Sequence, residues 1–159
     1  MLTQDELTIT ESCSASSCVP QHTMRRAYAE ICAGEDPWIA LGNFLHQFFG
    51  QYKDRREDLV RDPLDVPALP SADQFRWAVF CAASVEHLCK TYALPCPQWA
   101  LTPGFSLDSP WYIGIGADLP RVQQKLRSTT PRAFAERKIF CGDRTFRNKY
   151  EWQGRRRTA

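Results

Sequence analysis

The sequence predicts a mainly α fold: a small helical domain with a long proline- and aromatic-rich irregular loop and a basic carboxyl-terminal segment. Three observations predict it. Apolar residues recur at three- and four-residue spacing between residues 24 and 93. Prolines at 95, 97, 103, 110 and 120 then forbid any long helix. Finally, charge is unevenly spread: residues 1–120 carry a net −7 and residues 121–159 a net +9, within an overall +2. With 159 residues, 43% of them hydrophobic, the chain has apolar matter for one core.

In chain order, residues 1–20 include SCSASSC, lack periodicity and are expected to form a flexible lead-in. Residues 21–150 are expected to form a single helical domain, and 151–159 a basic tail. Thr23 is placed to cap a helix running to about Cys32, with Gly34 as its stop. Asp36-Pro37 opens a second helix with a capping carboxylate and proline in the first turn. Trp38, Leu41, Leu45, Phe48 and Tyr52 mark its expected apolar face, widened by Phe44 and Phe49. KDRREDLVRD reads as its continuation to Pro63, supported by Lys53–Glu57 and Glu57–Arg61 pairs. Gly42 and Gly50 mark a bend or a close helix contact within it. After the connector PLDVPALP, Ser71 and Gln74 form a capping-box signature for a third helix running to about Ala93. Phe75, Ala78, Val79, Ala82, Val85, Cys89 and Tyr92 define its main apolar face, and further apolar residues surround it, so this helix is expected at the centre of the core. Short helices are expected at 121–128 and 131–137.

No run approaches the ~20 apolar residues of a membrane span. The acidic, polar MLTQDELTIT is unlike a secretory signal. Seven cysteines, an odd number, fit reduced thiols in a cytoplasmic setting.

HLCKTYALPCPQW, residues 87–99, raises the question of a metal site. A structural zinc site wants four Cys or His ligands in two close pairs. His87 and Cys89 are about 200° apart around a helix, and Cys81 and Cys89 are two turns apart. Cys96 can fold back after Pro95, but no second pair lies nearby. Cys81 and Cys89 read better as small buried hydrophobes. No metal and no cofactor are expected. P-loop, HExxH and GxSxG motifs are missing, and His46 and His87 have no partner implied by local spacing. An enzyme is therefore the third-placed reading.

Binding is the first. Trp99, Trp111 and Tyr112 lie in the proline-pinned loop, and tryptophan, tyrosine and arginine are the residue types that dominate interface energetics. The alternative is that these aromatics only pin the loop to the core. Arg144, Arg147, Lys149, Arg155, Arg156 and Arg157, with Phe146, Tyr150 and Trp152 between them, offer a nucleic-acid surface as the second reading.

YALPCPQWALTPGFSLDSPWY and TTPRAFAERKIFCGDRTFRNKY together resemble small bacterial proteins of toxin–antitoxin-type gene pairs. Those carry a pattern of the kind YGLPxPxW…PWF…SPxxFxxRNIF. The matching positions are Tyr92, Leu94, Pro95, Pro97, Trp99, Pro110, Trp111, Tyr112, Pro131, Phe134, Arg137, Ile139 and Phe140, about a third of the chain. Lys138 departs from the pattern, which has asparagine there. The resemblance assigns no catalytic residue. It implies an antitoxin-like or accessory protein acting through a partner protein. The expected contacts are Trp99, Trp111, Tyr112, Phe134, Arg137 and the Arg144–Lys149 segment.

Overall fold

The structure, a computed structural model, describes residues 21–151. Among the described residues six α-helices and a two-residue parallel strand pair make a mainly α fold. Helix α1 (Met24–Cys32) starts at Thr23, whose hydroxyl accepts from the Arg26 N–H, and stops at Gly34 with φ of +101°. Helix α2 (Pro37–His46) starts at Asp36, whose carboxylate accepts from the Trp38 and Ile39 N–H groups. Both caps satisfy backbone donors that the first helical turn leaves without partners.

Beyond His46 the expected continuous helix does not form. Residues Gln47–Gln51 make a π-turn and Lys53–Arg55 a 3-10 turn, before α3 (Arg56–Val60). Gly50 lies in the π-turn, and Tyr52 and Arg55, with φ near −125°, break the helical run. The break changes the ion pairs too. Asp58 gathers Arg55 and Arg61, in place of the expected Lys53–Glu57 and Glu57–Arg61 pairs. It also lets Phe48 and Phe49 both turn inward, at 0% and 3% exposure.

Helix α4 (Ala72–Thr91) has the full capping box: Ser71 accepts from the Gln74 N–H and the Gln74 side chain accepts from the Ser71 N–H. Every residue from Ala78 to Val85 is buried, so α4 is the central helix, as its apolar surface predicts. Against it pack α1, α6 (Arg132–Ala135) and the short 3-10 turn Gln98–Leu101. Tyr28 of α1 is fully buried, and its hydroxyl donates to the Gln74 carbonyl.

The irregular stretch after α4 is held by one element that its sequence does not announce. Strand β1 (Trp111–Tyr112) runs parallel to β2 (Ile139–Phe140), pairing Trp111 with Ile139 and Tyr112 with Phe140. Two residues per strand are too short for the alternation that betrays a strand in sequence. Between them the chain makes an excursion through α5 (Pro120–Thr129) and α6. No described helix is long and apolar enough to cross a membrane.

Candidate functional site

Among the contacts expected from sequence, the structure separates anchors from surface. Phe134 is fully buried, with its ring 5.3 Å from Phe80 and stacked 5.4 Å from Phe146. Arg137 is 8% exposed and acts inside the protein. Its guanidinium donates to the Glu86 carboxylate, to the Ala133 carbonyl at 2.7 Å and to the Ala100 carbonyl at 2.8 Å. Neither residue presents a surface to a partner, which corrects the expectation for both. α6 is a single turn lying on α4, so Phe134 completes the core, and Arg137, two residues past its end, is drawn in by Glu86 and the Ala100 and Ala133 carbonyls.

Trp99 is half-buried, and its indole N–H donates to the Val60 carbonyl at 3.0 Å, so it ties the loop to α3. Tyr112 is half-buried and stacked on Phe140 at 5.1 Å, with the Arg127 guanidinium 5.5 Å above its ring. Trp111 differs. Its ring meets Trp77 edge-on at 5.0 Å, and Trp77 in turn meets Trp38 edge-on at 5.6 Å. The three indoles form a row joining β1, α4 and the start of α2. Trp38 is 46% exposed and the adjoining Ile39 55%. Arg76, an exposed residue, holds its guanidinium 5.9 Å from the Trp111 ring centre. Trp38 was expected on the buried stripe of α2. Instead Ala40, Leu41 and Phe44 fill that stripe, and the first turn lifts Trp38 to the rim. Trp77 immediately precedes the buried stretch of α4, and the sequence marks neither it nor Arg76 as special. The signal that could have found them is the pair RW at 76–77, an arginine beside a tryptophan near the start of a central helix.

The carboxyl-terminal segment 141–151 is a strap laid across the helices. Phe146 packs between Phe80, Phe134 and His87, with ring centres 5.4–6.0 Å away. The Asn148 amide donates to the Tyr92 hydroxyl at 3.1 Å, and the Tyr150 hydroxyl lies 2.6 Å from Nδ1 of His46. Glu151 reaches Arg56 at 3.7 Å, and the Arg56 guanidinium lies 4.1 Å from the Tyr92 ring centre. Arg144, Arg147 and Lys149 stand between these anchors and are exposed. Phe146 is thus an anchor and not a free base-stacking surface. Arg155, Arg156, Arg157 and Trp152 lie outside the described residues, as does the 1–20 lead-in.

The histidines do not assemble a catalytic group. His46 is engaged by Tyr150, in a cavity of about 190 Å³ whose other polar side chains are Arg147 and Lys149. His87 borders a cavity of about 450 Å³ with Glu86, Lys90, Thr91, Arg132 and Glu136. Its carboxylates are already paired, Glu86 to Arg137 and Glu136 to Arg132. The Thr91 hydroxyl donates to the His87 carbonyl. Burial, and secondarily Lys90, hold the His87 imidazole below its ordinary pKa and so favour its neutral form. Among the described residues no group of three or more His, Cys, Asp or Glu side chains converges as a metal site. Cys81 and Cys89 are core residues at 0% and 1% exposure.

The chain was compared with protein-family models, with curated proteins and with solved structures, and none of them matches it.

Proposed function

We propose that the protein is a non-enzymatic binding protein, antitoxin-like or accessory, that acts by docking a partner protein on the Trp38–Trp77–Trp111 row. The observation that carries this reading is the row itself: three indoles edge to edge, with Trp38 and Ile39 open to solvent at one end and Arg76, paired with Asp73, beside Trp111 at the other. Large rigid aromatics and arginine give most binding energy per residue at protein interfaces, because they bury much area while fixing few rotors. The fitting partner presents an apolar side chain to Trp38 and Ile39 and a carboxylate to Arg76. The resemblance to toxin–antitoxin-type proteins supports the same role through Trp111. Trp99, Tyr112, Phe134 and Arg137 support it indirectly, by fixing the loop that carries Trp111.

A second reading, binding of nucleic acid, is favoured by the outward placement of Arg144, Arg147 and Lys149 on the strap. One experiment separates the two. The tagged protein is used to capture partners from its native cell lysate, with and without nuclease, at two salt concentrations. Docking on the tryptophan row predicts a stoichiometric protein that survives nuclease and high salt, disappears with Trp38→Ser, and persists with Arg144, Arg147 and Lys149 changed to alanine. Recovery of nucleic acid that is lost at high salt and in the triple alanine variant would instead establish the second reading.

A further inference from the structure

The face of α5 that a core would ordinarily cover lines a cavity instead. Val122, Lys125, Leu126 and Thr129 stand three and four residues apart, so they share one side of the helix. Across a cavity of about 410 Å³ they meet Ile113 and Cys141, the residues that follow β1 and β2. Gly142 permits the close approach. Its φ of +74° suits glycine, and a Cβ there would stand 3.3 Å from Leu126.

The polar groups of this floor are already engaged. The Ile113 N–H donates to the Phe140 carbonyl at 3.0 Å, and the Gly142 N–H to the Thr130 hydroxyl at 2.8 Å. The Thr129 hydroxyl donates to the Lys125 carbonyl at 2.9 Å, and the Cys141 thiol to the Gly142 carbonyl at 3.7 Å. A polar group entering here would give up water without gaining these partners, so the part of a ligand that enters is apolar. The rim has the opposite character. Lys125 and Arg144 border the cavity and are exposed, and among the described residues neither side chain has a hydrogen bond, an ion pair or a ring contact. Asp143, the only carboxylate among the described residues of the rim, is paired with Arg147 at 3.8 Å. Ile115, fully exposed, carries the apolar wall outward.

We propose that this cavity binds a small amphiphilic carboxylate, a medium-chain fatty acid in chemical class, with its alkyl chain against Ile113, Val122 and Leu126 and its carboxylate at Lys125 and Arg144. The volume lies within the roughly 300–1,000 Å³ of small-molecule sites. An apolar floor with two unpaired cations at its edge is complementary to a molecule that is apolar at one end and anionic at the other. Each methylene that leaves water strengthens binding about fourfold. Each exposed cation adds at most about fivefold, because water screens it. The chain therefore sets the affinity and the head sets the orientation. None of the three tryptophans of the docking row borders this cavity, so the site is separate from that surface.

The full-length protein, with isotope-labelled methyl groups, is titrated with hexanoate, octanoate, decanoate and dodecanoate below their micelle concentrations. Methyl shifts should saturate at Ile113, Ile115, Val122 and Leu126 and leave Ile39 unmoved. Affinity should rise about tenfold from hexanoate to octanoate, and the gain should stop by dodecanoate, when the chain outgrows the cavity. Lys125→Ala combined with Arg144→Ala should weaken octanoate about five- to tenfold and leave octanol unchanged, whereas Val122→Glu should weaken both. Shifts that fail to saturate, that appear first at Ile39, or that keep strengthening through dodecanoate would overturn the proposal, as would octanol binding the unmodified protein as tightly as octanoate. Shifts of the same methyls that follow protein concentration without any fatty acid would also overturn it, by seating a second copy of the chain in the cavity. The titrations of the unmodified protein stand whether or not a variant folds, and whether or not a partner docks on the tryptophan row.

Discussion

Lys138 sits in the left-handed region with φ of +63°, a conformation that costs an ordinary side chain about 1–2 kcal/mol and suits glycine or asparagine. The position must reverse the chain between α6 and β2, and its carbonyl accepts from the Trp111 N–H at 2.8 Å to open the strand pair. The ammonium group is tethered to the Asp108 carbonyl at 2.9 Å. Asparagine adopts this conformation more readily than lysine. Lys138→Asn is expected to stabilise the protein by about 0.5–1 kcal/mol, because the relief of backbone strain exceeds the loss of one exposed tether; chemical denaturation of the two forms decides it. One residue earlier, Arg137 shows what could not be read from the sequence. Arginine in the basic last quarter of the chain looks like surface charge. Of its partners, the Ala133 carbonyl lies four residues back, but Glu86 and the Ala100 carbonyl lie 51 and 37 residues away, and no local spacing announces them.

At the scale of elements, the helices with side-chain caps are legible with exact starts, while α5 and α6, expected at 121–128 and 131–137, form without such caps. Thr23, Asp36 and Ser71 each hold the backbone donors that the residue type predicts, and each fixes a start to the residue. The apolar spacing after His46 is equally compatible with a straight helix, and only the glycines mark the break. Gly50 sits in the π-turn and Tyr150 of the strap lies against it, where an added Cβ would stand 3.1 Å from the tyrosine ring. The strap was legible only as a basic segment, since its alternation of buried anchors and exposed cations depends on a groove formed far upstream. Phe146 is the anchor of greatest apolar contact, half-buried against Phe80, Phe134 and His87. Phe146→Ala should cost about 2 kcal/mol, less than a fully buried phenylalanine, and should raise amide exchange from 144 to 151 more than in α4. Equal deprotection of α4 would show that the strap is part of the core and not a separable layer.

For the whole molecule, buried titratable groups set the pH range of stability. His87 has a folded pKa below its ordinary 6.5, so the folded state prefers the neutral ring. That contribution is complete above pH 6.5 and is lost as pH falls through the lower folded value. Cys81, Cys89 and Cys141 have folded pKa values above 9, raised chiefly by burial, to about 11 for Cys141. The unfolded chain releases those protons first, so their contribution is present below pH 9 and is lost as pH rises beyond it. Unfolding free energy is therefore expected to be flat between about pH 6.5 and 9 and to fall on both sides, which denaturant melts across pH 5–10 will show. His87→Gln should flatten the decline immediately below pH 6.5; an unchanged acid limb would assign it to carboxylates such as Asp58, whose pKa Arg55 holds below 3.8. The charge asymmetry of the sequence persists in the folded molecule. Most ion pairs join near neighbours, and between the acidic body and residues 121–151 only Arg137–Glu86 and Arg56–Glu151 span the divide among the pairs of described residues.

The parallel pairing of β1 and β2 has a further consequence. Between Tyr112 and Ile139 the chain runs through α5, which buries none of its residues, before α6 rejoins the core. The helix is moored by Arg127 on the Tyr112 hydroxyl and over the Phe140 ring, by Leu126 and Thr129 beside Gly142, and by the Thr130 hydroxyl accepting from the Gly142 N–H. A detour that departs from and rejoins one hydrogen-bonded seam can lengthen, shorten or change its surface without shifting what lies on either side. Residues 113–129 are where insertions, tags and drift in sequence are best tolerated, and where a homologous chain can diverge first without losing the fold.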